Sequence, residues 1–192
     1  MISPAEFTDT LKRCGVTMFT GVPDSLLKGF VAYIARHEKN AHIIAANEGN
    51  AVALAAGHFL ATGKPACVYM QNSGIGNAIN PLVSLADPEV YGIPMLVIIG
   101  WRGKPGAKDE PQHKKQGKIT LQFLDVLGIP YSILPRSERK ALEVTRRMIR
   151  RARRANMPVA LVVEDGTFES YRSRAKKLRG TFWIFLGAVG NG

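Results

Sequence analysis

The chain has 192 residues, of which 46% are hydrophobic, and this is enough for one domain with a sizeable core. Its first residues do not form a basic segment followed by an apolar one, and no run approaches the roughly 18 apolar residues of a membrane span. We therefore expect a cytoplasmic protein without a membrane segment. Cys14 and Cys67 lack metal-ligand spacing, so buried free thiols are expected rather than a disulfide or zinc site.

The formal net charge of +11 is concentrated near the C-terminus, where residues 136–192 contain 14 Lys and Arg against five Asp and Glu. Within 137–155, apolar side chains recur at spacings of three and four, which predicts a surface helix with a solvated arginine face. These apolar positions are Leu142, Thr145, Ile149 and Ala152. No aromatic side chains are interleaved with the arginines, as stacking on single-stranded nucleic acid would require. We expect no specific nucleic-acid site, although a noncatalytic module that contacts an acidic partner is a competing interpretation.

The predicted elements begin with a capping box, Ser3-Pro4-Ala5-Glu6, whose proline stands at the first helical position, and Gly15 stops this helix over 4–14. The predicted strands are 16–20, 42–46, 65–70, 94–100, 131–134 and 158–163. The further helices follow Asp24 and cover 49–60, 73–85, 119–127 and 137–155. Strands alternate with helices, and several strands are unbroken apolar runs. This predicts a doubly wound α/β fold, with a six-stranded parallel sheet and helices on both faces.

Ligands of such a sheet bind beyond the carboxyl ends of the strands. The segments there are 20–25, 47–50, 71–77 and 101–117. The last is predicted to be a long loop, and a loop of that length is usually functional or disordered. Gly74-Ile75-Gly76 is a weak dinucleotide signal because the third glycine is missing, and it is interpreted as a tight turn. The sequence lacks the motifs of P-loop nucleotidases, zinc peptidases and α/β-hydrolases.

Five segments at these strand ends together resemble the pyrimidine-binding domain of the thiamine-diphosphate-dependent decarboxylases. They are Gly21-Val22-Pro23-Asp24-Ser25, Asn47-Glu48-Gly49-Asn50, Gln71-Asn72-Ser73-Gly74-Ile75-Gly76-Asn77, Gly100-Trp101-Arg102-Gly103 and Asp109-Glu110-Pro111-Gln112-His113. The resemblance predicts one pyrimidine-binding domain over 1–170 and a basic, then apolar tail or start of a linker at 171–192. Around His113 the chain is most similar to phosphonopyruvate decarboxylases, whereas sulfopyruvate decarboxylases resemble it elsewhere.

The resemblance implies three catalytic residues. Glu48 would hydrogen-bond N1′ of the cofactor's aminopyrimidine and favour the imino tautomer that deprotonates C2 of the thiazolium ring. Asp24 and His113 would handle protons after carbon dioxide leaves. Each residue also has a structural interpretation: Glu48 as a charge that favours the helix dipole, Asp24 as a helix cap and His113 as a polar loop residue.

The resemblance also implies two sets of binding residues. The cofactor set is Glu48, Asn72, Ser73 and Asn77, and the substrate set is Asp24, Ser25, Arg102, Gln112 and His113. The planar guanidinium of Arg102 would grip a carboxylate or phosphonate through two parallel hydrogen bonds. Ser73 and Asn77 could equally stabilise their turn, and Arg102 could be an exposed loop arginine. No metal ligands are expected in these sets.

In the family, magnesium and the diphosphate are held by a second domain, recognised by a Gly-Asp-Gly start that is absent from these 192 residues. The resemblance therefore implies a carboxy-lyase that is inactive without a diphosphate-binding domain or β subunit, in a homo- or hetero-oligomer. The chain would be an α subunit or the N-terminal part of a longer enzyme. The expected reaction converts 3-phosphonopyruvate to phosphonoacetaldehyde and carbon dioxide, and the alternative is the α subunit of a sulfopyruvate decarboxylase.

Overall fold

A computed structural model of the protein describes residues 1–171, so the tail predicted for 171–192 lies outside the described residues except for Tyr171. The helices are α1 (Pro4–Arg13), α2 (Lys28–His37), α3 (Glu48–Thr62), α4 (Ile75–Ser84), α5 (Pro111–Val126) and α6 (Glu138–Ala155). The strands are β1 (Met18–Gly21), β2 (His42–Ile44), β3 (Ala66–Gln71), β4 (Met95–Gly100), β5 (Tyr131–Ile133) and β6 (Pro158–Val163). Short 3-10 turns at Ser25–Leu27 and Asn72–Gly74 precede α2 and α4.

The strands form one sheet in the order β2-β1-β3-β4-β6-β5, and every pairing among the described residues is parallel. From β1 the chain first adds β2 on one side and then β3 on the other. The carboxyl ends of β1 and β3 therefore flank the point where the winding reverses, which is the usual ligand crevice of an open parallel sheet. The prediction of a doubly wound, six-stranded parallel sheet is confirmed.

Alternation of side chains along the strands builds two hydrophobic layers. In β3, Ala66, Val68 and Met70 face the layer that contains α3, α4 and α5, whereas Cys67 and Tyr69 face the layer that contains α1, α2 and α6. Both layers are buried, and each large apolar side chain moved from water to such a core contributes about 1.5–3 kcal/mol. The two layers hold the strand ends rigidly, which fixes where the following loops begin.

The start of α5 corrects the sequence prediction. We expected a loop over 101–117 and a helix from residue 119, but the helix begins at Pro111. Proline is well suited to the first helical position, yet the first two turns carry mostly exposed polar side chains, so the apolar period begins only near Ile119. As a consequence, Gln112 and His113 lie on the first helical turn and not in a loop.

The N-terminus of α1 shows a second difference. The Oγ of Ser3 accepts a hydrogen bond from the Glu6 N–H, as the capping box predicts. The N–H of Ser3, however, donates to Glu138 of α6 at 2.7 Å and not to Glu6. The cap of one helix is thus completed by the first residue of another, a long-range contact that the local motif could not reveal.

The arginine-rich helix α6 is confirmed as a surface helix. It buries Ala141, Thr145, Met148, Ile149 and Ala152, while Leu142 is only half-buried, so the stripe differs slightly from the predicted one. Most of its arginines are exposed.

Both cysteines are free thiols. Cys67 is fully buried, and burial raises its pKa. None of the helices in residues 1–171 is long and apolar enough to span a bilayer.

Candidate active site

Glu48 is the first residue of α3 and is 9% exposed. The cap of this helix is the preceding residue, Asn47, whose Oδ1 accepts from the Asn50 N–H at 2.9 Å. The Glu48 carboxylate therefore takes no part in capping the helix. Its Oε2 accepts from Nδ2 of Asn77 at 2.8 Å, and none of the described residues donates to Oε1. Asn77 therefore orients the carboxylate and leaves one oxygen for a further donor.

Glycines allow α3 and α4 to approach each other at this point. A Cβ added to Gly74 would lie 2.5 Å from Oε1 of Glu48, and one added to Gly49 would lie 2.7 Å from the Asn77 carbonyl oxygen. Gly76, by contrast, would meet nothing within 4 Å. The weak glycine signal of the sequence thus has a specific explanation at Gly74, because the absence of a side chain there makes the slot that holds Glu48.

Asp24 follows β1 and is 5% exposed. Its Oδ2 accepts from the Leu26 N–H at 2.9 Å, so Asp24 caps the turn, as one of its two interpretations predicts. Its Oδ1 is one of two buried side-chain oxygens without a hydrogen bond in the described part of the chain. The other is Thr20 Oγ1, near the end of β1, the strand that Asp24 follows. Burial raises the pKa of Asp24, although the Leu26 N–H and the charge of Arg102 act in the opposite direction. A carboxyl group that holds its proton more readily is suited to acid/base chemistry, so capping and catalysis are compatible.

The loop after β4 is organised by Asp109, a residue for which the sequence pattern predicts no role. Its carboxylate accepts from Nε and Nη2 of Arg102 and from the N–H groups of Gly103 and Glu110. The Nδ1 atom of His113 lies 2.9 Å from its Oδ1. The Arg102 guanidinium, together with His113 and the backbone donors, holds the pKa of Asp109 well below its ordinary range. The signal in the sequence is an acidic residue four positions before His113, but it is informative only once the helix is known to begin at Pro111.

Arg102 is committed to this network. Of the five N–H groups of a guanidinium, two are donated to Asp109, and a third, on Nη1, is donated to the Oγ of Ser25 at 2.7 Å. The side chain is 20% exposed, so Arg102 is not a freely exposed loop arginine. The paired hydrogen bonds predicted for an anionic ligand are made with Asp109 instead. Arg102 consequently ties the loop after β1 to the loop after β4.

The remaining predicted residues have different surroundings. Asn72 is fully buried, its Nδ2 donates to the Arg102 carbonyl and to Thr120, and its Oδ1 accepts from the Arg102 N–H, so in this conformation it is a structural tie. Ser73 is exposed and accepts from Gln71 at 2.7 Å. Gln112 is exposed on the first turn of α5. Asn72 therefore shapes the loop, while Ser73 and Gln112 present side chains at the surface.

The structure groups the predicted residues at two places along the carboxyl edge of the sheet. Glu48 and Asn77 form the first group, between α3 and α4. The second contains Asp24, Ser25, Arg102 and His113 on the segments after β1 and β4. Beside it lies a cavity of about 660 Å³ that is lined by five cationic side chains and three carboxylates, namely Lys28, Arg102, Lys104, Lys108 and Arg136, and Asp109, Glu164 and Asp165. Within residues 1–171, no group of three or more His, Cys, Asp or Glu side chains is placed to hold a metal ion.

Comparison with known proteins gives a consistent result. Residues 5–124 match the family model for the N-terminal TPP-binding domain of thiamine pyrophosphate enzymes. Over 135 residues the chain is 42% identical to the phosphonopyruvate decarboxylase of Streptomyces viridochromogenes, a match that covers 70% of this chain but 33% of that protein. The chain thus spans about a third of the length of this relative.

Two further comparisons concern a separate subunit and a solved structure. The chain is 31% identical over 150 residues to the sulfopyruvate decarboxylase subunit alpha of Methanococcus maripaludis, with 78% of this chain and 87% of the subunit covered. The crystal structure of benzoylformate decarboxylase from Polynucleobacter necessarius shares the fold, with a TM-score of 0.60 and 20% identity over 95% of this chain and 33% of that one.

Proposed function

The chain belongs to the thiamine pyrophosphate enzyme family, and from this premise we propose that it supplies the pyrimidine-activating half of a decarboxylase active site. The proposed reaction converts 3-phosphonopyruvate to phosphonoacetaldehyde and carbon dioxide. Two observations support this substrate, namely the 42% identity to a phosphonopyruvate decarboxylase and the excess of cationic over acidic side chains in the cavity that Arg102 lines. We place this activity in the cytoplasm, as part of the same proposal.

The observation that carries the proposal is the environment of Glu48. Its carboxylate lies in a slot kept open by Gly74, one oxygen is held by Asn77, and the other accepts no hydrogen bond from the described residues. This donor set fits an aminopyrimidine ring, because Oε1 can share a proton with N1′ while Oε2 stays fixed. When bound, thiamine diphosphate supplies the electron sink that stabilises the carbanion left after decarboxylation. Glu48 would hold the proton that sets the tautomer of the bound ring, and Ser73 would contact the cofactor nearby.

Asp24 and His113 are proposed as the proton donors and acceptors of the later steps. Asp24 has a buried, unpartnered oxygen and a raised pKa, so it can deliver a proton to a carbanionic centre. His113 presents an imidazole that is 16% exposed and is held by Asp109. Ser25 and Gln112 are proposed to orient the substrate. Arg102 would contribute its remaining N–H groups to the anionic end while it keeps the two loops together.

The alternative substrate is sulfopyruvate, which the likeness to a sulfopyruvate decarboxylase α subunit favours. Both 2-oxo acids carry a carboxylate and a second anionic group, so the cationic lining of the cavity is compatible with either one. Lys28 and Lys108 have no ion-pair partner among residues 1–171, whereas Lys104 is paired with Glu164. The lining has two more cationic side chains than carboxylates, which favours an anionic substrate.

A partner domain or subunit is proposed to hold magnesium and the diphosphate. The outer side of α3 and the edge strand β2 carry exposed apolar side chains, with Ile44 at 60%, Leu60 at 59% and Leu54 at 38% exposure. A groove of about 820 Å³ runs between these two elements. An apolar surface of this kind typically marks a contact with another protein surface. A second half that covers it would stand close to the first turn of α3, where Glu48 lies.

The decisive experiment combines the chain with the diphosphate-binding half of a phosphonopyruvate decarboxylase, thiamine diphosphate and magnesium. Decarboxylation is followed for phosphonopyruvate, sulfopyruvate and pyruvate. We expect turnover of phosphonopyruvate with the highest kcat/KM. In parallel, exchange of the cofactor's C2 proton for deuterium is measured by NMR, since this reports activation of the cofactor without any substrate.

Glu48→Gln is the matched variant, because it keeps the size of the side chain and removes its ability to share the proton. Loss of one general acid/base contribution predicts a decrease of about 10²–10⁴-fold in both C2 exchange and turnover. Full activity of this variant would contradict the role of Glu48. Inactivity of the wild-type mixture toward every 2-oxo acid would contradict the decarboxylase itself, and a preference for sulfopyruvate would select the alternative.

A further inference from the structure

His113 and Asp109 face each other across the first turn of α5. The Nδ1 atom of the imidazole lies 2.9 Å from Oδ1 of Asp109, and the two side chains are only 16% and 13% exposed. The same carboxylate is held by the guanidinium of Arg102 and by two backbone N–H groups. Its position is thus determined independently of the histidine, so it can serve as a fixed reference for the imidazole ring.

The hydrogen bond between these residues has only one possible direction. The Asp109 carboxylate accepts four N–H donors, from Arg102, Gly103 and Glu110, and these hold its pKa well below the ordinary range, so it is ionised and has no proton to donate. The proton in the contact must therefore belong to Nδ1 of His113. In the neutral imidazole this places the lone pair on Nε2, and no described residue donates to that nitrogen.

We propose that Asp109 is a positioning residue that fixes the Nδ1–H tautomer of His113, so that Nε2 is presented as the proton acceptor and donor of the active site. The inference rests on the proposed role of His113 and assigns the group that makes His113 competent. Asp109 also holds Arg102 and lines the cavity beside it, but the role proposed here is exerted through the histidine.

The backbone around this pair supports a fixed geometry. Gly103 has a φ of +66°, and a Cβ at this position would collide with the carbonyl group of His113. Gly117, one turn further along α5, lies directly against the Gly103 carbonyl, and Trp101 Nε1 donates to the Gly117 carbonyl at 2.8 Å. The loop and the helix are therefore packed backbone against backbone. The histidine and the carboxylate are carried on two segments that hold each other in place.

The first test reads the tautomer directly. Nitrogen-15 NMR of the imidazoles is recorded on the chain at about pH 9, where an ordinary histidine, with a pKa near 6.5, is neutral. His113 is assigned among the four histidines by the loss of its signals in His113→Gln. We expect the Nδ1–H tautomer in the wild type. A wild-type spectrum dominated by the Nε2–H tautomer would overturn the proposal, whatever the variants do.

The second test changes the partner of the histidine. In Asp109→Asn the side-chain amide can donate to Nδ1, and we expect the tautomer to shift toward Nε2–H. Glu164→Gln is the matched control, since Glu164 pairs with Lys104 of the same loop but makes no described contact with His113. This control removes the same charge and should leave the histidine spectrum unchanged. An equal response of both variants would mean that loss of charge, and not the direct contact, governs the tautomer.

The kinetic test uses the complete mixture with the diphosphate-binding half. For Asp109→Asn we expect kcat to fall by about 10²-fold or more, the range of a misdirected general acid/base. The Glu48-dependent C2 exchange should remain within about twofold, because Asp109 makes no described contact with Glu48. Loss of the contact with Arg102, which lines the cavity, should appear separately as a change in KM. An unchanged kcat together with a shifted tautomer would overturn the catalytic importance of the pair. Complete inactivity of the wild type would reject the proposed function and leave the tautomer assignment intact.

Discussion

The segments after β1 and β4 each carry a carboxylate, and the two differ in almost every physical respect: Asp24 is buried, whereas Asp109 is only half-buried. Asp24 has one oxygen that caps a turn and another without a hydrogen bond among the described residues, and burial raises its pKa. Asp109 has both oxygens occupied by Arg102, with His113 and backbone N–H groups as further donors, and its pKa is lowered. The number of donors, and not burial alone, separates them.

This difference distinguishes a group that can exchange a proton from one that serves as a fixed charge. Folded proteins rarely leave a buried polar atom unpaired, because its desolvation costs about 1–3 kcal/mol. An unpaired oxygen is therefore informative when it lies at a ligand-binding edge. Glu48 resembles Asp24 in this respect, because its Oε1 is unpaired while its Oε2 is held by Asn77. Asp109 belongs to the framework around them.

Filling the slot beside Glu48 should have the largest effect on activity. In Gly74→Ala the new methyl group would overlap the carboxyl group of Glu48 and displace it, since a side chain moves more easily than a helix. The backbone φ of Gly74 is −69°, so alanine is not strained there. A displacement of about 1 Å predicts a loss of roughly 10²-fold in turnover and C2 exchange, with the fold retained.

Gly76→Ala is the control for this substitution, because a Cβ at Gly76 meets nothing within 4 Å. It places the same methyl group two residues further along the chain, in the first turn of α4. We expect activity within about twofold of the wild type for this variant, as for most exposed substitutions away from a site. Equal activity of the two alanine variants would show that Gly74 does not shape the Glu48 slot.

Removing the Asp109 carboxylate, both of whose oxygens accept hydrogen bonds, should primarily affect stability. Asp109→Ala leaves the guanidinium of Arg102 and two backbone N–H groups without their acceptor, at a place where the side chains of Arg102 and Asp109 are only 20% and 13% exposed. Hydrogen bonds to charged groups predict a decrease of about 1.5–3 kcal/mol in the free energy of unfolding. Urea denaturation with an unchanged m-value measures it. A decrease below about 0.5 kcal/mol would place Asp109 among solvated surface charges and remove the contrast with Asp24.

The fold itself could be predicted well from the sequence, since unbroken apolar strands alternating with amphipathic helices leave few alternatives to a parallel sheet. The boundaries that depended on local periodicity were less secure. At α5 the first turns are polar, so the pattern began eight residues after the true start at Pro111. At Ser3 the expected partner Glu6 was replaced by Glu138, which no local pattern encodes.

The site was predictable as a set of strand ends but not as a set of contacts. Glu48, Asp24 and His113 were expected at the carboxyl edge, because the order of strands and loops is a property of the sequence. The pairing of Arg102 with Asp109 was not, since an arginine in a loop can meet an external anion or an internal one. Likewise, the slot at Gly74 depends on the approach of two helices that are distant in sequence.

Dependence on pH should separate the two aspartates by sign. Because the folded pKa of Asp24 is raised, its contribution to stability is present below its unfolded value of 3.8 and is lost as the pH rises through the folded pKa. The folded pKa of Asp109 is lowered, so its contribution is present above 3.8 and is lost as the pH falls toward the folded pKa. Asp24→Asn should therefore reduce the loss of unfolding free energy that occurs as the pH rises above 3.8. Asp109→Asn should reduce the loss that occurs as the pH falls below 3.8. The measurement is urea unfolding over a pH series. If both variants changed the pH dependence of stability in the same direction, the opposite pKa shifts of Asp24 and Asp109 would be contradicted.

The smallest effect on stability is expected for a more exposed ion pair that lines the same cavity. Lys104 and Glu164 are paired, but their side chains are 37% and 21% exposed, against 20% and 13% for Arg102 and Asp109. Solvent screens such a pair, so Glu164→Gln should lower the free energy of unfolding by less than about 1 kcal/mol. About 1 M salt, where the screening length is near 3 Å, should abolish this difference but preserve most of that of Asp109→Ala. Equal losses with equal salt dependence would mean that solvent reaches both pairs alike, and the fixed position attributed to Asp109 would then lack its physical basis.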